Sequence, residues 1–210
     1  MGRRQKLKKF AELKTFPHVL EWPKNVAGSW PQPLIVEVGC GYGEYALALA
    51  QRHPENHYLG LDIQGERLWR AAKEMQTLKL DNVWWLRGYA DHLLDYFAPG
   101  EIAELWLTFP DPFPRKGDAK KRLTSPRFLS YYQRLLTLGG RVHLKTDSNG
   151  LYLYSQETIA ASGATIDRQL DMVPADMTEF DLDIPTRFEQ KHRNLGSAIH
   201  YLSWFWPTEL

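Results

Sequence analysis

The segment Leu34-Ile35-Val36-Glu37-Val38-Gly39-Cys40-Gly41-Tyr42-Gly43 most narrows what this chain can fold into. Its first half has the length and apolarity of a buried strand, and glycine then takes three alternate positions. Glu44–His53 follows with apolar Tyr45, Leu47, Ala48 and Leu49 and stops before Pro54, which predicts a helix. Tyr58–Ile63 is a second strand. Parallel strands need a crossover between them, and strand, tight turn, helix, strand supplies one.

The alternation continues along the chain. Helical spacing covers Gly65–Leu80, a strand Val83–Arg87, a short helix Asp91–Phe97 and a strand Ile102–Thr108. Pro126–Leu138 predicts a helix ended by Gly139-Gly140, Arg141–Thr146 a strand, and Leu151–Ser162 a helix ended at Gly163. Ala164–Leu170 and Ala198–Trp206 have strand character, with a loop and a short helix, Arg187–Leu195, between them. The expected class is therefore α/β: a mostly parallel, seven-stranded sheet with helices on both faces. The last two strands lack a long intervening helix, which predicts an antiparallel pair at one edge. Residues 1–33, a basic arm followed by Pro17, Pro23, Pro31 and Pro33, read as an N-terminal extension with little regular structure. Residues 34–210 then form one domain.

The glycine turn and what surrounds it specify a ligand class. Glycines there permit positive φ and let a ligand approach the backbone, and the next helix offers its amide-rich N-terminus. Asp62 closes the second strand, 19 residues after Gly43, where a carboxylate accepts hydrogen bonds from ribose hydroxyls. The spacing is Gly-x-Gly-x-Gly, not the Gly-x-Gly-x-x-Gly of pyrophosphate binders. Glu37 sets an anion beside the ligand, which repels a pyrophosphate and suits a cation. S-adenosyl-L-methionine has no phosphate and carries a sulfonium and an ammonium. A glycine turn that only packs strand on helix is the plainer alternative, and Glu37 with Asp62 weigh against it. Cys40 has no histidine placed to activate it and reads as a small buried residue.

A second loop, Phe109-Pro110-Asp111-Pro112-Phe113-Pro114-Arg115-Lys116, leaves the strand Ile102–Thr108. Three prolines in five positions continue neither a ladder nor a helix, so the loop is stiff. In open α/β sheets ligands bind beyond the carboxyl ends of strands, so this loop faces the group that receives something from the nucleoside ligand. Cations cluster behind it: residues 111–127 hold six Lys and Arg against two carboxylates, and residues 1–14 hold six against one, on a chain of net charge +1. Two basic clusters on an otherwise acidic chain point to a localised polyanion site, although either alone reads more readily as solvated surface.

Four segments in order, E-V-G-C-G-Y-G at 37–43, F-P-D-P-F-P-R-K with its trailing K-K-R-L, L-K-T-D at 144–147 and T-R-F-E at 186–189, resemble the tRNA (guanine-N7)-methyltransferase family of the TrmB type. The resemblance runs from about Leu34 to the C-terminus. It implies a class I S-adenosylmethionine-dependent methyltransferase fold, Rossmann-like, acting on N7 of guanosine 46 in tRNA. It places Asp111 as the catalytic carboxylate. It places Glu37, Gly39, Gly41, Gly43, Asp62, Tyr89 and Asp111 around the cofactor. It places Arg115, Lys116, Asp147, Thr186, Arg187, Phe188 and Glu189 against substrate. Asp62 stands where the family often has Glu. Tyr89 stands where an Asp or Asn usually meets adenine, and Gly117-Asp118 interrupts a more uniform basic run.

Plainer roles stand beside several of these. Asp111 between prolines suits a turn cap, and Asp147 an Asx-turn or helix cap. Thr186 and Glu189 are spaced as a capping box. Two other functional readings remain open. An adenine or cytosine amino-group methyltransferase usually carries Asn/Asp-Pro-Pro-aromatic here, whereas Asp111-Pro112 precedes Phe113-Pro114. An RNA-binding protein that has lost catalysis is the other.

Composition bounds the remainder. No apolar run approaches the roughly 20 residues of a membrane span, and no apolar region follows MGRRQKLKKF, so neither a membrane segment nor a secretory signal is expected. One cysteine excludes an internal disulfide framework and a thiolate-rich zinc site, and seven histidines show no ligand spacing, so no metal is expected. The expected location is cytoplasmic and the expected partner tRNA, with monomer and homodimer both open.

Overall fold

The computed structural model of the protein describes residues 8, 9 and 11–207. Arg3, Arg4 and Lys6 of the basic arm lie outside the described residues. The chain divides into two compact units, residues 1–98 and 99–210.

The first unit carries four strands, β1 (Val19–Glu21), β2 (Leu34–Val38), β3 (His57–Asp62) and β4 (Val83–Arg87). Their order is β1-β4-β3-β2 and every pairing is parallel. The crossovers are α1 (Glu44–Arg52) and α2 (Gly65–Thr77), and β4 runs into a 3₁₀ turn at Ala90–His92 and the short helix α3 (Leu93–Tyr96). All five residues of β2 are buried, which is why this strand is apolar at every position but Glu37 rather than alternating. Trp85 of β4 is fully buried, and glycines make room for it. A Cβ on Gly60 would lie 2.5 Å from its ring, and one on Gly43 would lie 2.2 Å from it.

The second unit carries β5 (Ile102–Thr108), β6 (Leu136–Thr146), β7 (Thr165–Leu170) and β8 (His200–Phe205), in the order β5-β6-β8-β7. β5 and β6 are parallel, while β8 lies antiparallel to both β6 and β7. Its helices are α4 (Pro126–Leu135), α5 (Asn149–Ala161) and α6 (Arg187–Asn194), with 3₁₀ turns at Lys116–Lys121 and Glu179–Asp181. Ser148 starts α5 two residues earlier than expected, because its hydroxyl accepts the Leu151 amide at 3.2 Å.

The α/β class, the parallel majority and the antiparallel edge strands are as expected. Two local expectations are corrected. Among the described residues there are eight strands, not seven, because Val19–Glu21 pairs with Trp85–Arg87. Residues before 34 also pack: Glu12 accepts a hydrogen bond from Trp69 Nε1 at 2.9 Å, and Lys9 pairs with Glu66. Three residues flanked by prolines are too short for periodicity to reveal, and the open edge of β4 supplies the ladder. The second correction concerns Gly139-Gly140, which does not cap a helix. α4 stops at Leu135 and β6 already begins at Leu136. The register slips between Ile102 and Glu104, Gly139 takes φ +75°, and a Cβ on Gly140 would lie 2.9 Å from the Ala103 carbonyl oxygen. These glycines serve a strand irregularity, where a neighbouring backbone comes too close for a side chain.

Candidate active site

In the first unit the turn between β2 and α1 is built on left-handed glycines: φ is +79° at Gly39, +56° at Gly41 and +68° at Gly43. The amides of Gly39 and Cys40 donate to the Leu61 carbonyl at 2.7 and 3.0 Å, pinning the turn to the end of β3. Asp62, next along, fixes it with its side chain. One carboxylate oxygen accepts the Gly41 amide at 2.9 Å and the other the Gln64 amide at 2.6 Å. Glu37 accepts the Ala46 amide in the first turns of α1 at 3.2 Å. Both carboxylates are withdrawn from solvent, Glu37 at 4% exposure and Asp62 at 6%.

The glycines divide by what surrounds them. No atom lies within 4 Å of a Cβ built on Gly39, so its backbone faces open space. Gly43 is filled against Trp85 and has a packing role whatever else it does. Cys40 is buried, and burial, reinforced by the Glu37 and Asp62 carboxylates, pushes its thiol well above the ordinary range. A thiol so held is not a nucleophile at neutral pH. Tyr89 stands at the exit of β4, 47% exposed, with its ring 5.2 Å from that of Trp22.

In the second unit the proline loop leaves β5 through Phe109, whose amide donates to the Lys145 carbonyl at 2.8 Å. Phe109 and Phe113 both hold φ in the left-handed region, +51° and +41°. Arg122 braces the loop from behind, donating to the Phe113 carbonyl at 2.9 Å and the Pro112 carbonyl at 3.1 Å while lying 4.2 Å from the Tyr154 ring. Arg122 thus acts as a strut for the loop. Asp111, Arg115, Lys116 and Lys120 are exposed, and Lys121 pairs with Asp118 at 2.8 Å.

Asp147 follows β6 and pairs with His192 at 2.9 Å. The His192 ring stacks on Phe188 at 4.2 Å, and Phe188 meets Phe109 at 5.2 Å. The loop after β5, the loop after β6 and helix α6 thus share one aromatic cluster. Thr186 caps α6, its hydroxyl accepting the Glu189 amide at 3.1 Å. Glu189 itself is only 1% exposed. One carboxylate oxygen lies 2.7 Å from Lys145 Nζ, and the other accepts two hydrogen bonds from Arg193 at 2.8 and 2.9 Å. Of the residues expected against substrate, Glu189 is buried and paired with two cations, whereas Phe188 is 46% exposed.

A family model described as "Putative methyltransferase" matches residues 31–202. The tRNA (guanine-N(7)-)-methyltransferase of Bacteroides fragilis (strain YCH46) is 35% identical over all of this chain and 88% of its own length. That of Porphyromonas gingivalis (strain ATCC BAA-308 / W83) is 39% identical over 91% of this chain and 85% of its own. The chain belongs to the tRNA (guanine-N(7)-)-methyltransferase family. Its fold is that of the class I methyltransferases. The crystal structure of the 16S rRNA methyltransferase KamB superposes with a TM-score of 0.63 at 15% identity, covering 83% of this chain and 88% of that one.

Three contacts around these residues are not visible in the sequence. Trp22 sits in a segment with no periodicity. His192 reached Asp147 only through the packing of α6. Lys145 belongs to the L-K-T-D segment, but nothing in its sequence neighbours marks a lysine as buried. Among the described residues no group of three or more His, Cys, Asp or Glu is placed to hold a metal ion, and no helix is long and apolar enough to cross a membrane.

Proposed function

We propose that this protein transfers a methyl group from S-adenosyl-L-methionine to N7 of guanosine 46 in tRNA, acting in the cytoplasm. The observation that carries the reading is the run of relatives named for guanine-N7 methylation that align over nearly the whole chain. Residues 34–210 are the methyltransferase domain in this reading, supported by a family match over 31–202, and 1–33 precede it while adding β1 beside β4.

The residues of the first unit fit the methyl donor. The open face at Gly39 admits a ligand against the backbone, and Glu37 supplies a buried anion suited to a cation. Asp62, which holds the turn through two amides, closes β3 where a carboxylate accepts ribose hydroxyls. When bound, S-adenosylmethionine supplies an electrophilic methyl on a positively charged sulfur.

The acceptor chemistry asks little of the protein. Guanine N7 has an exposed lone pair, so no base is needed to unmask it, and alignment of the reacting atoms dominates. Methyl transfer to N7 would leave the purine cationic. Asp111 accepts hydrogen bonds from the N1-H and 2-amino edge, and these strengthen as that charge develops. Asp147, Thr186, Arg187 and Phe188 meet the nucleotide, Glu189 holds them in place, and Arg115, Lys116 and Lys120 meet phosphates.

Incubating the protein with labelled S-adenosylmethionine and unmodified tRNA, followed by mapping of the modified base, tests this. Label at N7 of guanosine 46 is expected. Label on an exocyclic amine, or no transfer, overturns it.

A further inference from the structure

In the second unit α6 is held at two depths. At its base Glu189 is 1% exposed and pairs with Lys145 and Arg193. Arg193 also donates to the Val173 carbonyl at 2.9 Å. Glu189 and Lys145 are sealed from water, so this anchor fixes where the helix lies and meets no ligand.

At the rim the arrangement differs. His192 Nδ1 lies 2.9 Å from Asp147 Oδ2, and the two side chains keep 23% and 24% of their surface exposed. The same imidazole stacks on Phe188, with centroids 4.2 Å apart and planes inclined by 22°. His192 and Phe188 stand four residues apart on α6, the spacing that brings side chains onto one helix face. Phe188 in turn meets Phe109, which opens the loop that carries Asp111. One side chain therefore grips the loop after β6 through a nitrogen and the start of α6 through its ring face.

Stability does not account for this grip. A partly exposed ion pair contributes little to folding, and α6 already has its buried anchor. What the rim contacts fix is orientation. The imidazole turns Asp147 Oδ2 toward α6, which sets the direction of a carboxylate that otherwise swings about its side-chain torsions. The Phe188 ring, 46% exposed, is restrained between the imidazole and the Phe109 ring. Groups ordered before a ligand arrives lose less freedom when it binds.

We infer that His192 is a positioning residue for the RNA substrate, holding Asp147 and Phe188 as one preformed surface. The inference rests on the proposed contact of those two residues with tRNA.

Binding of unmodified tRNA, measured by filter retention without methyl donor, tests it on the full chain and on substitutions that divide the two contacts. His192→Asn keeps a nitrogen donor near the Nδ1 position and loses the stacked ring. His192→Phe keeps the ring and loses the donor, and His192→Ala loses both. His192→Ala is expected to weaken tRNA binding by about 10- to 150-fold, the range for a hydrogen bond to a charged group. His192→Asn and His192→Phe are each expected to restore part of that loss. In an Asp147→Ala background the donor has nothing to orient, so His192→Phe is expected to cost no further affinity. Parental affinity in His192→Ala overturns the inference, as does an equal cost of His192→Phe with and without Asp147. Losses that follow the urea midpoints of the three variants also overturn it, since a structural role alone produces them. If His192→Ala does not fold, His192→Asn and His192→Phe carry the same decision. Binding is read without turnover, so methylation of a base other than guanosine 46 would sink the proposed function and leave this result standing.

Discussion

Lys145 Nζ lies 2.7 Å from a Glu189 carboxylate oxygen, with both side chains withdrawn from water. The same ammonium donates to the Leu182 and Ile184 carbonyls at 3.1 Å each. Burial pulls the Lys145 ammonium below its ordinary value, and the Glu189 carboxylate works against that. The pair ties the end of β6 to the loop before α6 and to α6 itself. A buried pair is weak evidence of net stabilisation, but cutting one half strands the other charge. Lys145→Met is expected to lower unfolding free energy by about 3–5 kcal/mol in urea titrations. An unchanged midpoint would show that Arg193 alone compensates the Glu189 charge.

The glycine turn separates fold from ligand at single positions. Gly43→Ala drives a methyl into Trp85 and is expected to destabilise by about 1–3 kcal/mol. Gly39→Ala meets no neighbour, so its cost is the left-handed backbone alone, about 1–2 kcal/mol. Its larger effect is expected on S-adenosylmethionine affinity, because the added methyl projects into the open face. Melting curves beside calorimetry separate the two. Equal affinity in Gly39→Ala and the parent would remove the turn from the cofactor site.

The cations behind the proline loop are not equivalent. Lys120 is exposed, whereas Lys121 is already neutralised by Asp118. Lys120→Ala is expected to reduce the slope of log binding constant against log salt by about 0.7–0.9 for tRNA. Lys121→Ala should change it less, and Asp118→Ala should strengthen binding by releasing Lys121. Identical slopes for all three variants would return the cluster to solvated surface.

His143 sets a pH dependence of stability. Its ring is buried, stacked on Trp106 at 4.1 Å and bonded to the Tyr201 hydroxyl at 2.7 Å. Burial, helped by the Arg141 charge, pushes its pKa down from 6.5 to about 3. Between those values the unfolded chain binds a proton that the folded protein refuses. The contribution is therefore present above pH 6.5 and is lost as pH falls toward 3, at up to about 1.4 kcal/mol per pH unit. Urea midpoints measured from pH 7 to pH 5 should fall less steeply in His143→Gln. Parallel profiles for the two proteins would place the titration elsewhere.

The comparison between expectation and structure turns on sequence distance. β2, its glycine turn and Asp62 were legible because the whole device lies within 30 residues and each residue acts through its own backbone or nearest turn. The end of α4 was misjudged because Gly139-Gly140 signals a helix stop locally, whereas the approach of the Ala103 carbonyl requires a strand irregularity. Glu189 was legible as part of a motif, but its burial was not, since that depends on Lys145 lying 44 residues away.

By itself the sequence determined the α/β class, the order of most elements, the glycine cradle with its two carboxylates and the stiff loop bearing Asp111. Short-range periodicity, proline stereochemistry and glycine φ decide those features. Tertiary structure alone decided that Val19–Glu21 is a strand, that Trp22 meets Tyr89, that Arg122 braces a loop, and that Glu189 is buried between two cations. Each depends on which side chains meet across long separations, and a charge or an aromatic ring takes its role from those neighbours.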